Sequence, residues 1–116
     1  MKFFEFESSH DNCIYKIRAG QNAQENWNLI DDSAQSDIWF HVANEPSTHV
    51  VLTVGDRNKK PHRSVLKFCA VKCKEGSKVK NLRNVEITYT EIKNVHIDRT
   101  DSPGTVTTSG TKSIKI

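Results

Sequence analysis

Asp37-Ile38-Trp39-Phe40-His41-Val42, followed after a polar turn by Thr48-His49-Val50-Val51-Leu52-Thr53-Val54, is the stretch on which the fold turns. Side chains alternate across a strand. Ile38, Phe40 and Val42 therefore share one face, and Asp37, Trp39 and His41 share the other. In the second run Val50, Leu52 and Val54 lie together, with His49 and Val51 opposite. Asn44-Glu45-Pro46-Ser47 between them is made of turn residues, so the two runs form an antiparallel hairpin. That hairpin brings His41 and His49 together on the surface expected to face away from the core.

Working outward, Phe3 to Glu7 and Cys13 to Arg18 flank a polar turn and predict a first hairpin, ended at Gly20. Gly20 is expected to permit a tight turn. Asn22 with Glu25 three positions on makes a capping-box pattern, and Ala23, Trp27 and Ile30 recur at helical spacing. They predict a helix over about 22–32. Pro61 suits a first helical turn, and Val65, Leu66, Cys69, Ala70 and Cys73 form one apolar stripe. They predict a second helix over about 61–75, closed by Gly76. Short strands are expected at 85–90, 93–97, 105–108 and 113–116, with turns at Pro103-Gly104 and Ser109-Gly110. The fold class is α+β: a mostly antiparallel or mixed sheet with two helices, in one domain over residues 1–116.

At 35% hydrophobic, 116 residues are expected to form one core but not two. No apolar run approaches the roughly 18 residues of a membrane span, so no membrane partner is expected. Glu5 and Glu7 directly after Phe3-Phe4 exclude a secretory leader. Cys13, Cys69 and Cys73 are an odd number, read as free, mostly buried thiols of a reducing compartment, the cytoplasm or nucleoplasm. The net charge of +3 hides an asymmetry. Residues 1–56 hold three Lys/Arg against nine Asp/Glu, whereas 57–116 hold fourteen against five. Within 57–83 there are ten basic residues and one acid, Glu75. Such a block is a footprint for a polyanion, or else a solvated face that keeps the chain dispersed. Arg57, Lys59, Lys60, Arg63 and Lys67 are the phosphate candidates. Such contacts strengthen binding without reading sequence.

The other candidates sit on the hairpin and the first helix. The Trp39 indole could stack on a base, worth about 1–3 kcal/mol, and His41 and His49 could hydrogen-bond phosphate or a base edge. Asp37 could orient a histidine or a basic side chain. The competing account covers Trp39 with a helix and makes His41 structural. Asn22 and Asn26 could touch backbone or sugar, with helix capping as the alternative for Asn22. The same residues suggest two further chemistries. Cys69 and Cys73 with His41, His49 or His62 could form a zinc site, but no C-x-x-C pair exists and the helical stripe wants both cysteines in the core. His41 and His49 could act as acid and base of a metal-independent nuclease, which nothing in their spacing demands. No catalytic residue, metal or cofactor is therefore assigned, and a protein-interaction or ribosome-docking module is the runner-up.

Five elements together resemble the RNA-binding domain of the NFACT family. They are Gly20 to Leu29, Asp37-Ile38-Trp39-Phe40-His41, Ser47-Thr48-His49-Val50, the run from Val85 to Tyr89 with Lys93-Asn94-Val95, and Pro103-Gly104-Thr105-Val106. They follow one another in the family's order from about Ile14 to the C-terminus. Gln21, Trp27 and Ser47 depart from the family pattern, and the phosphate contact of the usual arginine is not carried over to Gln21. Ser47-Thr48 is closer to the short eukaryotic members, which add a coiled-coil tail, than to the large ribosome-rescue members. The resemblance implies a stand-alone RNA-binding module, with tRNA or ribosomal RNA as ligand, the ribosome as a candidate assembly and DNA as a second nucleic acid. It also implies a link to translation or ribosome-associated quality control, and no enzymatic activity. It moves the weight onto Trp39, His41 and His49 as a site.

Overall fold

The computed structural model describes residues 1–55, 60–100 and 105–116. The first hairpin pairs β1 (Lys2–Ser8) with β2 (Cys13–Ala19). Helix α1 (Ala23–Asp31) follows, then β3 (Ile38–Val42) and β4 (Val50–Thr53), paired as Ile38↔Leu52, Trp39↔Val51 and Phe40↔Val50. After α2 (Arg63–Glu75) come β5 (Glu86–Glu91), a 3-10 turn (Ile92–Asn94), β6 (Val95–Ile97), β7 (Val106–Thr108) and β8 (Lys112–Lys115). Six strands form one sheet in the order β1-β2-β4-β3-β5-β8, and every neighbouring pair is antiparallel. β6 and β7 form a separate two-stranded ribbon. The architecture is α+β, as expected; the Pro103-Gly104 turn lies outside the described residues.

Local chemistry sets the helix ends. Asn22 Oδ1 accepts the Glu25 N–H at 2.9 Å, and the Glu25 carboxylate accepts the Gln21 N–H at 3.0 Å, so the predicted box closes one residue wider than the standard form. At α2 the cap is His62, whose Nδ1 accepts the Ser64 N–H at 3.1 Å, so Pro61 precedes the cap instead of entering the first turn. Lys72 and Lys74 in the last turn complement the helix dipole.

One face of the sheet carries the core predicted from alternation. Phe40, Val42, Val50, Leu52 and Ile87 are buried there against Val65, Cys69, Ala70 and Cys73 of α2. Burial pushes the Cys73 thiol up to about 12 and Cys69 higher still, so neither is a thiolate near neutrality. Cys13, Cys69 and Cys73 form no disulfide. The other face departs from expectation: a second core forms, in which Trp39 and Val51 pack with Leu29 and Ile30 of α1 and with Ile92 and Val95. Ala23, predicted for the buried stripe, is exposed, and the inward residues of α1 are Asn26, Trp27, Leu29 and Ile30.

β4 is shorter than the predicted 48–54 because its entry is engaged elsewhere. The Thr48 N–H donates to the Gly76 carbonyl at 3.3 Å, the His49 N–H donates to Asn26 Oδ1 at 3.2 Å, and the His49 carbonyl accepts the Gly20 N–H at 3.0 Å. These bonds explain both glycines. Neither adopts a positive φ, and Gly76 has φ −91. A Cβ on Gly20 would overlap Asn26 Oδ1, and one on Gly76 would overlap Thr48 Oγ1. They are needed for close approach, not for the tight turn or left-handed stop expected of them.

Candidate nucleic-acid interface

The bonds at the entry to β4 gather four element ends at one end of the sheet. β2 ends there at Ala19, just before Gly20, β3 ends at Val42, next to His41, β4 begins at Val50, just after His49, and α2 ends at Glu75, before Gly76. Between them opens a cavity of about 820 Å³, lined among others by Asn22, Asn26, His41, His49, Lys78 and Lys80. A second cavity of about 540 Å³, lined by Trp39, Thr88, Val106 and Thr108, adjoins it, and His41 and Thr105 line both.

The three rings of the hairpin form one assembly. Trp39 and His41 lie nearly parallel at 5.5 Å between centroids, and His49 meets both edge-on, at 5.3 and 4.8 Å. The Trp39 indole N–H donates to His49 Nδ1 at 3.1 Å. An indole can only donate, so Nδ1 must be the bare nitrogen and the ring proton sits on Nε2. That Nε2–H has no hydrogen-bond partner among the described residues, although His49 is only 2% exposed and lines the cavity. Burial, helped by the neighbouring His41, depresses His49 to about 3; burial also lowers His41. Both are neutral rings at physiological pH. His49 thus gives the cavity floor a fixed, uncharged donor, and the lysines at positions 78 and 80 supply charge at the rim.

The predicted residues separate into groups. Asn22, Asn26, His41 and His49 come together in the cavity. Asn22 caps α1, and Asn26 holds the His49 backbone. Trp39 is 3% exposed, buried beneath α1, so the open stacking platform expected of it is corrected: it backs His41 and fixes the tautomer of His49. Asp37 does not orient either histidine. It lies at the opposite end of β3, about 13 Å from His41 by strand rise, and is 3% exposed. Its carboxylate accepts the Ala34 and Val54 N–H groups at 2.9 and 3.2 Å, with Arg18 at 3.7 Å. Lys60 lies at that same far end, beside Ile38 and Glu91. Arg63 and Lys67 are exposed on α2 and do not line the cavity. Arg57 and Lys59 fall outside the described residues.

Lys78 and Lys80 were missed. The basic block at 57–83 contains them, but only the fold shows that the segment after α2 wraps the histidine end. The zinc arrangement is not assembled: Cys69 and Cys73 belong to the α2 core, on the face opposite His41 and His49. His49 is not available as the base of a nuclease pair, because its lone pair already accepts from Trp39. Among the described residues, no helix is long and apolar enough to cross a membrane.

Comparison with known proteins identifies the family. The family described as "NFACT protein RNA binding domain" matches residues 2–115. Coiled-coil domain-containing protein 25 of Bos taurus is 34% identical over 98 residues, which are 82% of this chain and 47% of that protein. The Rqc2 homolog RqcH of Bacillus subtilis is 32% identical over 92 residues, 78% of this chain and 15% of that protein. The chain thus spans less than half the length of these relatives. Among solved structures, the C-terminal part of the fibronectin/fibrinogen-binding protein from Streptococcus suis superposes with TM-score 0.82 at 28% identity, covering 92% of this chain and 42% of that one.

Proposed function

We propose, from the premise that this chain belongs to the NFACT RNA-binding-domain family, that it is a non-enzymatic module binding RNA through the cavity at the histidine end of the sheet. The observation that carries the reading is the unpartnered Nε2–H of His49 at the floor of a cavity with Lys78 and Lys80 on its lining. A recessed neutral donor beside ammonium groups suits a phosphate oxygen, which accepts without needing a proton. Resemblance to ribosome-associated quality control factors makes tRNA or ribosomal RNA the ligand we select. We assign its work to the cytoplasm, on or near the ribosome. Cysteines without disulfides suit that reducing compartment.

The test is filter binding of a tRNA transcript and a ribosomal RNA fragment across salt concentrations. Log affinity should fall linearly with log salt. Changing Lys78 and Lys80 together to Ala should weaken binding and flatten the slope by roughly 1–2, more than changing Arg63 and Lys67 together. A flat salt response, or a Lys78/Lys80 variant that binds like the parent, refutes the reading. A protein-docking module would give that flat response.

A further inference from the structure

We infer that the cavity receives an unpaired nucleotide, with its phosphate on the His49 Nε2–H between Lys78 and Lys80 and its base on the exposed side of His41. The inference rests on the RNA reading above and narrows it to single-stranded segments.

Three observations lead to it. First, the Nε2–H of His49 has no hydrogen-bond partner among the described residues, and the residue, only 2% exposed, borders the cavity. The phosphates of a duplex ride on a broad convex cylinder and reach rim groups such as Lys78 and Lys80. A strand that has left the helix can turn a phosphate into the recess. Second, one ring is presented on both sides. His41 is part-exposed and lines the two adjoining cavities, whereas Trp39 reaches only the second and His49 only the first. With Trp39 nearly parallel behind it, a base on His41 would extend an existing stack. Unpaired bases are commonly held this way, on aromatic or imidazole planes. Third, the dimensions suit the guest. A recess of about 820 Å³ falls in the range that encloses a small-molecule-sized group. Its continuation past His41 gives the strand a path out, lined by Thr88, Thr105, Thr108 and Thr111. Hydroxyl side chains there can meet ribose hydroxyls as donor or acceptor.

The experiment compares a single-stranded ribo-oligonucleotide, a blunt RNA duplex of the same sequence, and a stem-loop that exposes it, all at one salt concentration. The single strand and the loop should bind at least about tenfold tighter than the duplex, the loss of one base stack being worth that order. His41→Ala should lower single-strand affinity about tenfold and leave the duplex unchanged, and His41→Phe, which keeps a ring, should recover most of it. A circular dichroism spectrum checks that each variant folds. In the parent protein the imidazole nitrogen correlations of His49 should move on titration with the single strand and stay still with the duplex, a readout that needs no variant. Equal affinity for duplex and single strand, equal loss in His41→Ala and His41→Phe, or a static His49 signal overturns the inference. If the duplex binds with salt dependence and sensitivity to Lys78 and Lys80, the RNA reading survives and only this narrowing falls. If no RNA binds, both fall.

Discussion

Acid should destabilise this domain in a window set by one histidine. His49 is neutral in the folded state, held there by burial and by donation from the Trp39 indole to Nδ1. Its folded pKa of about 3 lies below the ordinary value of 6.5. The unfolded chain therefore binds the proton more tightly than the folded one. Stability is complete above the unfolded pKa and falls as pH drops below 6.5, until the folded pKa is reached. Each unit in that window costs about 1.4 kcal/mol. From pH 7.5 to 5.0 the loss is thus roughly 2 kcal/mol, fixed almost wholly by the distance from 6.5 to 5.0. His41, depressed by the same cause, adds to the loss. Asp11, held low mainly by the His62 N–H, still favours the folded state at pH 5, because its stabilisation is lost only as pH falls through the carboxylate range. The assay is urea denaturation at pH 7.5, 6.5, 5.8 and 5.0 for the parent and for His49→Gln, whose amide can still accept from Trp39. The parent midpoint should drift down with acid, and the variant should lose about 2 kcal/mol less over the interval. Parallel pH profiles for the two proteins would refute the account, because the acid sensitivity would then come from elsewhere.

Two further substitutions probe the frame around the site. Gly20→Ala forces a methyl group onto Asn26 Oδ1, which holds the His49 N–H. It should cost about 1–3 kcal/mol, read as a lowered thermal midpoint, and an unshifted midpoint would show that the close approach is unimportant. Asp37→Ala removes a buried carboxylate that ties 34–37 to Val54 and faces Arg18. It should cost about 3–5 kcal/mol while the fraction that remains folded binds RNA as before. A selective loss of binding with intact stability would return Asp37 to the site.

The β3–β4 hairpin was legible because alternation alone fixes which residues share a face, and the observed register pairs Trp39 with Val51 and Phe40 with Val50. What alternation could not disclose is whether the less apolar face is covered. Asp37, Trp39 and His41 read together as an outer row, yet Trp39 is buried by Leu29 and Ile30 from before the hairpin and by Ile92 and Val95 from far after it. That is tertiary packing between segments with no local signature. The two glycines were identified as special for the wrong reason: sequence suggests backbone conformation, whereas the need arises from a side chain on another element. Asn22 as a cap was readable, since the partner lies three residues away.

The basic block shows that a charge count does not tell which lysines share one end of the sheet. Its first part and its last part straddle α2, whose 13 residues rise about 20 Å. Lys60 therefore stays beside Ile38 and Glu91 at one end of the sheet, while Lys78 and Lys80 arrive at the other. A charge count treats these lysines as equivalent. The fold does not, because the histidine end joins Lys78 and Lys80 to a directed donor on His49. In the proposed reading, charge and direction come from different residues: lysines attract the phosphate, and a neutral histidine with a tautomer set by Trp39 orients it. That reading gives a role to the Asp-Ile-Trp-Phe-His run, with a buried tryptophan two places from a histidine that lines the cavity. On it, Trp39 acts through the rings it positions, and His41 and His49 are the proposed contacts.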